Sequence, residues 1–87
     1  MSRVVIPSLM RDLTQGQGVV DVSGDTVAEL IDALDARHPG IRARLYVDGN
    51  LDPALIVVIN QRPAALGLQA RVNEGSEVRF LPLISGG

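Results

Sequence analysis

The chain contains no cysteine, no lysine and no tryptophan, and a single histidine. Without cysteine there are no disulfides, no thiolate metal sites and no cysteine nucleophile. Without lysine there is no Schiff-base chemistry, and all eight basic residues are arginine. The two aromatic residues, Tyr46 and Phe80, are too few to build base-stacking platforms. A net charge of −2 argues further against nucleic acid as a partner. The longest uninterrupted apolar run, residues 54–59, is far shorter than the roughly 20 residues that span a bilayer, so no membrane partner is expected. The N-terminal stretch carries Arg3 and no long apolar segment, so no signal peptide is expected. Together with the missing cysteine this makes a cytoplasmic location the expectation.

What is present suits one small folded unit. The 87 residues are 46% hydrophobic and 21% charged, with mean hydropathy +0.22. A chain of this length buries about 60–65% of the surface its unfolded form exposes. That is enough for one core and too little for a two-domain enzyme or a dinucleotide-binding fold. A single domain over residues 1–87 is expected, ending in a flexible tail at 83–87.

Hydrophobic periodicity sets out the elements. Residues 3–9 read as a strand, with β-branched Val4, Val5 and Ile6 ahead of Pro7. Residues 14–18 are a Gly-rich turn, and residues 19–22 a second strand, forming a hairpin with the first. Thr26 and Glu29 fit a capping box at a helix start. Val27, Leu30, Ile31 and Leu34 then follow the i, i+3, i+4, i+7 rule. Pro39 and Gly40 end that helix after His38, and Ile41 and Leu45 fit one side of a further helical turn. Residues 46–53 read as a polar loop, 55–59 as a central strand, 64–66 as a short strand and 77–81 as the last strand, which Pro82 ends. The order β-β-α-β-β-β needs one helical stripe buried on one face of a mixed sheet. With the last strand parallel to the first, the fold class is α+β, a β-grasp or ubiquitin-like roll. Alternation along the last strand turns Val78 and Phe80 toward the helix and Arg79 and Leu81 outward.

Several motifs imitate active chemistry. Asp48, Asn50 and Asp52 start like a calcium loop, but Pro53 stands where that loop needs glycine and Ile59 where it needs glutamate. The Gly16/Gly18 pair precedes a strand and so lacks the helix N-terminus that binds phosphate. His38 has no second histidine or cysteine to complete a metal site, and reads as a helix C-cap. Glu29, Asp32 and Asp35 read as a solvated helix face rather than paired catalytic acids. No catalytic residue and no metal site are expected.

The C-terminus differs from these. Ile84, Ser85, Gly86 and Gly87 follow a strand ended by proline, so the tail projects past the fold. With no Cβ at its last two positions, it suits a narrow channel that presents the terminal carboxyl to a partner. A free carboxylate, with a pKa of about 3.3–3.7, is ionised at neutral pH and a poor electrophile. It needs activation, most simply as a mixed anhydride with AMP.

The run Glu77-Val78-Arg79-Phe80-Leu81-Pro82-Leu83-Ile84-Ser85-Gly86-Gly87 resembles the C-terminus of the MoaD/ThiS family of ubiquitin-like sulfur carriers. The turn Asn73-Glu74-Gly75-Ser76 resembles the one that precedes it in the family, with Ser76 replacing the usual aspartate. Ser23-Gly24-Asp25-Thr26-Val27 and Ala36-Arg37-His38-Pro39-Gly40-Ile41 resemble the family's helix start and end, and Ile6-Pro7-Ser8-Leu9-Met10-Arg11 looks closest to the CysO-type branch. The resemblance implies an E1-like adenylating enzyme and sulfurtransferase as partner, which consumes ATP to activate Gly87. It also implies a thiocarboxylate, thioglycine, at Gly87, and a downstream biosynthetic enzyme that accepts the sulfur for cysteine or another sulfur-containing metabolite. The carrier is then a cosubstrate with no bound cofactor. Ile84, Ser85 and Gly86 would thread the enzyme, and Leu81, Pro82 and Leu83 would dock on it. A chain without cysteine or lysine offers no thiol or ε-amine to capture its own activated carboxyl. The competing readings are the small subunit of molybdopterin synthase, a ubiquitin-like protein modifier, and a binding module in which the two glycines carry no function.

Overall fold

The computed structural model describes residues 1–83. Its strands are β1 (Ser2–Val5), β2 (Val19–Val22), β3 (Tyr46–Val47), β4 (Asn50–Leu51), β5 (Leu55–Ile59), β6 (Arg62–Pro63) and β7 (Glu77–Pro82), and its helices are α1 (Val27–Arg37) and α2 (Ile41–Leu45). Five strands form one mixed sheet in the order β2-β1-β7-β5-β6, and β3 and β4 form a separate hairpin. In the sheet, β1 and β7 run parallel with Val4 opposite Val78, and the other neighbours are antiparallel.

Alternation sends one face of every strand inward. Val4, Val20, Val22, Val57, Val78 and Phe80 are buried, and they meet the α1 stripe of Val27, Leu30, Ile31 and Leu34, also buried. Ile41 and Leu45 of α2 close one end of this core. This is the expected β-grasp roll.

The capping box holds α1 in place. The Thr26 hydroxyl accepts the Glu29 N–H at 3.2 Å. The Glu29 carboxylate reaches back one residue further than the standard box, to the Asp25 N–H at 3.1 Å. The Val27 N–H, another orphan of the helix start, donates to the Ala70 carbonyl at 3.0 Å, and Val72 N–H donates to Asp25. The segment that leads to β7 is thereby tied to the start of α1.

Three local expectations are corrected. The first strand ends at Val5 rather than residue 9, because Pro7 breaks the ladder and a 3-10 helix runs Ser8–Thr14. Met10 and Thr14 of that helix are buried, and the buried Thr14 hydroxyl donates to the Gln17 carbonyl at 2.8 Å. Residues 46–53 are not a plain loop: Asp48 and Gly49, at φ 53° and 79°, make the primed turn that matches strand twist and join β3 to β4. The short strand expected at 64–66 lies at Arg62–Pro63, because Asn60 and Gln61 (φ 50° and 71°) form a two-residue turn directly after β5. Residues 67–69 are instead a 3-10 turn.

Candidate functional site

The site is the root of the C-terminal segment. Because β7 lies between β1 and β5, its last residues leave from the middle of the sheet. Pro82 sits opposite Leu55, and the Leu83 N–H donates to the Ala54 carbonyl at 2.7 Å. Pairing with β5 therefore guides the backbone through Leu83. Ile84, Ser85, Gly86 and Gly87, the expected threading and reactive residues, lie outside the described residues.

The expected docking residues fall together. Leu81 and Leu83 are 42% and 55% exposed, and Pro82 between them is exposed. Leu81 lies opposite Ile56, and Arg79 lies opposite Val5 on one side and Val58 on the other. The outer face of the sheet thus carries Val5, Ile56, Val58 and Leu81 around Arg79, with Val19 at its margin. Exposed apolar surface of this kind marks interaction surfaces. The Arg79 Nε donates to the Glu77 carboxylate at 2.8 Å, and that hydrogen bond holds the Glu77 carboxyl below its usual pKa.

Beside the root, a cleft of about 410 Å³ opens between the 3-10 helix and the ends of β5 and β7. Pro7, Leu9, Arg11, Leu55, Leu81 and Pro82 are among its walls. Leu9 is 86% exposed, and the Arg11 Nε donates to the Ile6 carbonyl at 3.1 Å. Leu9 and Arg11 line this cleft, a placement that the reading of 3–9 as a strand did not give. The signal was Pro7-Ser8 followed by Met10 and Leu13 at helical spacing.

The remaining motifs serve the fold. Asp52 closes its own turn by accepting the Ala54 N–H at 2.8 Å. Asp35 accepts the N–H groups of Gly40 and Arg42 at 3.1 and 3.0 Å, which caps α2, and Asp32 pairs with Arg42 at 3.4 Å. His38 is the C-cap of α1, and its side chain is buried with Nε2 unpartnered. Among the described residues no group of three His, Cys, Asp or Glu is placed to hold a metal ion, and no helix is long and apolar enough to cross a membrane.

A five-stranded mixed sheet wrapped on one helix, with the final strand at its centre and Leu81, Pro82 and Leu83 exposed at its end, defines a small ubiquitin-like protein. The chain belongs to the ThiS family, whose sequence profile matches residues 4–87. It is 34% identical to the sulfur carrier protein CysO of Mycobacterium tuberculosis over 89 aligned positions, covering 97% of this chain and 96% of that one. Its fold matches the crystal structure of the Amycolatopsis orientalis BexX/CysO complex at TM-score 0.90 and 36% identity, with both chains fully covered. It is also 40% identical to small archaeal modifier protein 1 of Haloferax volcanii over 70 positions, 78% of each chain.

Proposed function

We propose that this chain is a sulfur carrier whose reactive group is the terminal carboxyl of Gly87. An E1-like enzyme joins that carboxylate to the α-phosphate of ATP and releases pyrophosphate. A sulfide equivalent attacks the acyl carbon, AMP leaves with the bonding pair, and the end of the chain becomes a thiocarboxylate. A biosynthetic enzyme then takes the sulfur into cysteine or another sulfur-containing metabolite. The full-length similarity to CysO carries this reading. The exposed Leu81–Leu83 root and the cleft beside it support it, since an activating enzyme must grip the domain while it holds the chain end in place.

Incubation with ATP, the adenylating enzyme and sulfide is expected to add the mass of one sulfur in exchange for one oxygen. Deleting Gly87 is expected to abolish that gain. One residue spans about 3.3–3.6 Å, and a misplacement of about 1 Å already costs on the order of 10²-fold in rate. A Gly87-deleted protein that still gained the mass would overturn the proposal.

The similarity to the archaeal modifier supports a second reading, attachment of Gly87 to amines of other proteins. Intact-mass analysis of protein from its native cell separates the two. A carrier is recovered as free chain with a thiocarboxylate, whereas a modifier is recovered in larger covalent conjugates. With no lysine of its own, the chain cannot build lysine-linked chains on itself.

A further inference from the structure

An open sheet has two edges, and this one closes them differently. At one edge β6 is two residues long and contains Pro63, so it offers little to pair with. At the other, β2 is four residues long and carries neither proline nor lysine. Its register fixes which backbone groups face outward. The Ile6 N–H donates to the Gly18 carbonyl at 2.8 Å, so hydrogen-bonded pairs on the β1 side fall at Gly18, Val20 and Val22. The N–H and C=O groups of Val19 and Asp21 therefore point away from the sheet.

One of them is occupied. The Arg37 guanidinium, from the last turn of α1, donates to the Asp21 backbone carbonyl at 2.7 Å. The contact is to the edge itself: no ion pair with the Asp21 carboxylate accompanies it among the described residues.

We infer that Arg37 closes the β2 edge against a second copy of this chain. The edge is self-complementary. Two β2 strands placed antiparallel about Val20 set Val19 of one copy opposite Asp21 of the other. Each such pair exchanges both of its N–H···O bonds, four in all. The arrangement needs both Asp21 carbonyls, the acceptors that Arg37 holds. It also sets each Asp21 carboxylate opposite a valine rather than its own symmetry mate, so charge repulsion does not prevent pairing. With Arg37 in place the acceptor is taken and the guanidinium lies in the path of the incoming strand.

The test compares the full chain with Arg37→Ala and Arg37→Glu by sedimentation equilibrium, with circular dichroism to confirm that each variant is folded. Arg37→Ala is expected to self-associate about 100-fold more tightly than the parent, since a dimer loses two competing charge-assisted bonds worth about tenfold each. Arg37→Glu is expected to associate less tightly than Arg37→Ala, because its carboxylate adds repulsion at the same edge. Adding Val19→Pro to either variant removes an outward N–H that β1 does not use, and is expected to return it to monomer. A monomeric, folded Arg37→Ala protein at millimolar concentration would overturn the inference. So would dimers that survive the added proline, because they would use another surface.

Discussion

Gly24 shows how one residue sets the placement of a helix. A Cβ there would stand 2.9 Å from the Glu29 Cβ and 3.0 Å from the Leu30 backbone nitrogen, so the loop before α1 lies directly against its first turn. Gly24→Ala must push the two apart, and a loss of about 1–3 kcal/mol is expected from denaturant titration, as for other overpacked sites. Glu77 acts through charge instead. Its pKa is lowered in the folded protein, chiefly by the Arg79 hydrogen bond, so its contribution to stability is present above the ordinary carboxylate range and lost as pH falls through the lowered value. The pair is exposed, so the effect is small and weakened by salt. In Glu77→Gln, melting temperature is expected to fall less steeply with acid than in the parent at low ionic strength. Equal slopes would remove Glu77 from the acid response.

Among the elements, β5 and its turn hold the strand that carries the site. Asn60 binds β7 twice: its N–H donates to the Glu77 carbonyl and its side-chain oxygen accepts the Glu77 N–H, both at 2.9 Å. The turn thereby sets where β7 begins, and five paired residues from Leu55 to Ile59 set its course to Pro82. The 3-10 helix adds the opposite wall of the cleft. Leu81→Asp places a charge on the exposed face between these elements. It is expected to leave the unfolding midpoint nearly unchanged and to weaken binding to the adenylating enzyme at least about tenfold, the scale of a truncated interface anchor. Calorimetric titration with that enzyme measures it, and an unchanged affinity would move the docking surface elsewhere.

For the whole molecule, the last strand in sequence is the middle strand in space. Both of its neighbours, β1 and β5, depend on it for hydrogen bonds, and Val78 and Phe80 complete the core. A fragment ending at residue 76 is therefore expected to lack the dispersed amide spectrum of a folded domain. A chain lacking only Gly87 is expected to keep it, since every core residue precedes that position. If the short fragment folded, β7 would be an accessory and its central position would need another explanation. The same topology holds the root of the C-terminal segment at the sheet centre, where Leu83 is tied to β5 through the Ala54 carbonyl.

The sequence by itself determined α1, its capping box, its buried stripe, the inner and outer faces of β7 and the Gly-Gly end. These depend on periodicity and on residues within a few positions of one another, which a linear pattern records directly. It also determined the family, because the motifs that carry the resemblance are contiguous runs. The true end of β1, the hairpin at 46–51 and the register of β6 were only partly legible. Pro7, Asp48-Gly49 and Asn60-Gln61 each admit more than one local conformation, and the positive φ angles and short hairpin pairings of the latter two show which was taken. Asp32 is exposed, as the helical spacing predicts, but its partner Arg42 and the α2 amides bound by Asp35 come from the next element and are not legible from that spacing. Only the tertiary structure decided that Leu9 and Arg11 share a cleft with Leu81, and that Arg37 reaches the edge of β2. Those pairings join residues separated by whole elements, and no spacing rule along one chain encodes which surfaces the folded sheet and helix will bring within hydrogen-bond range.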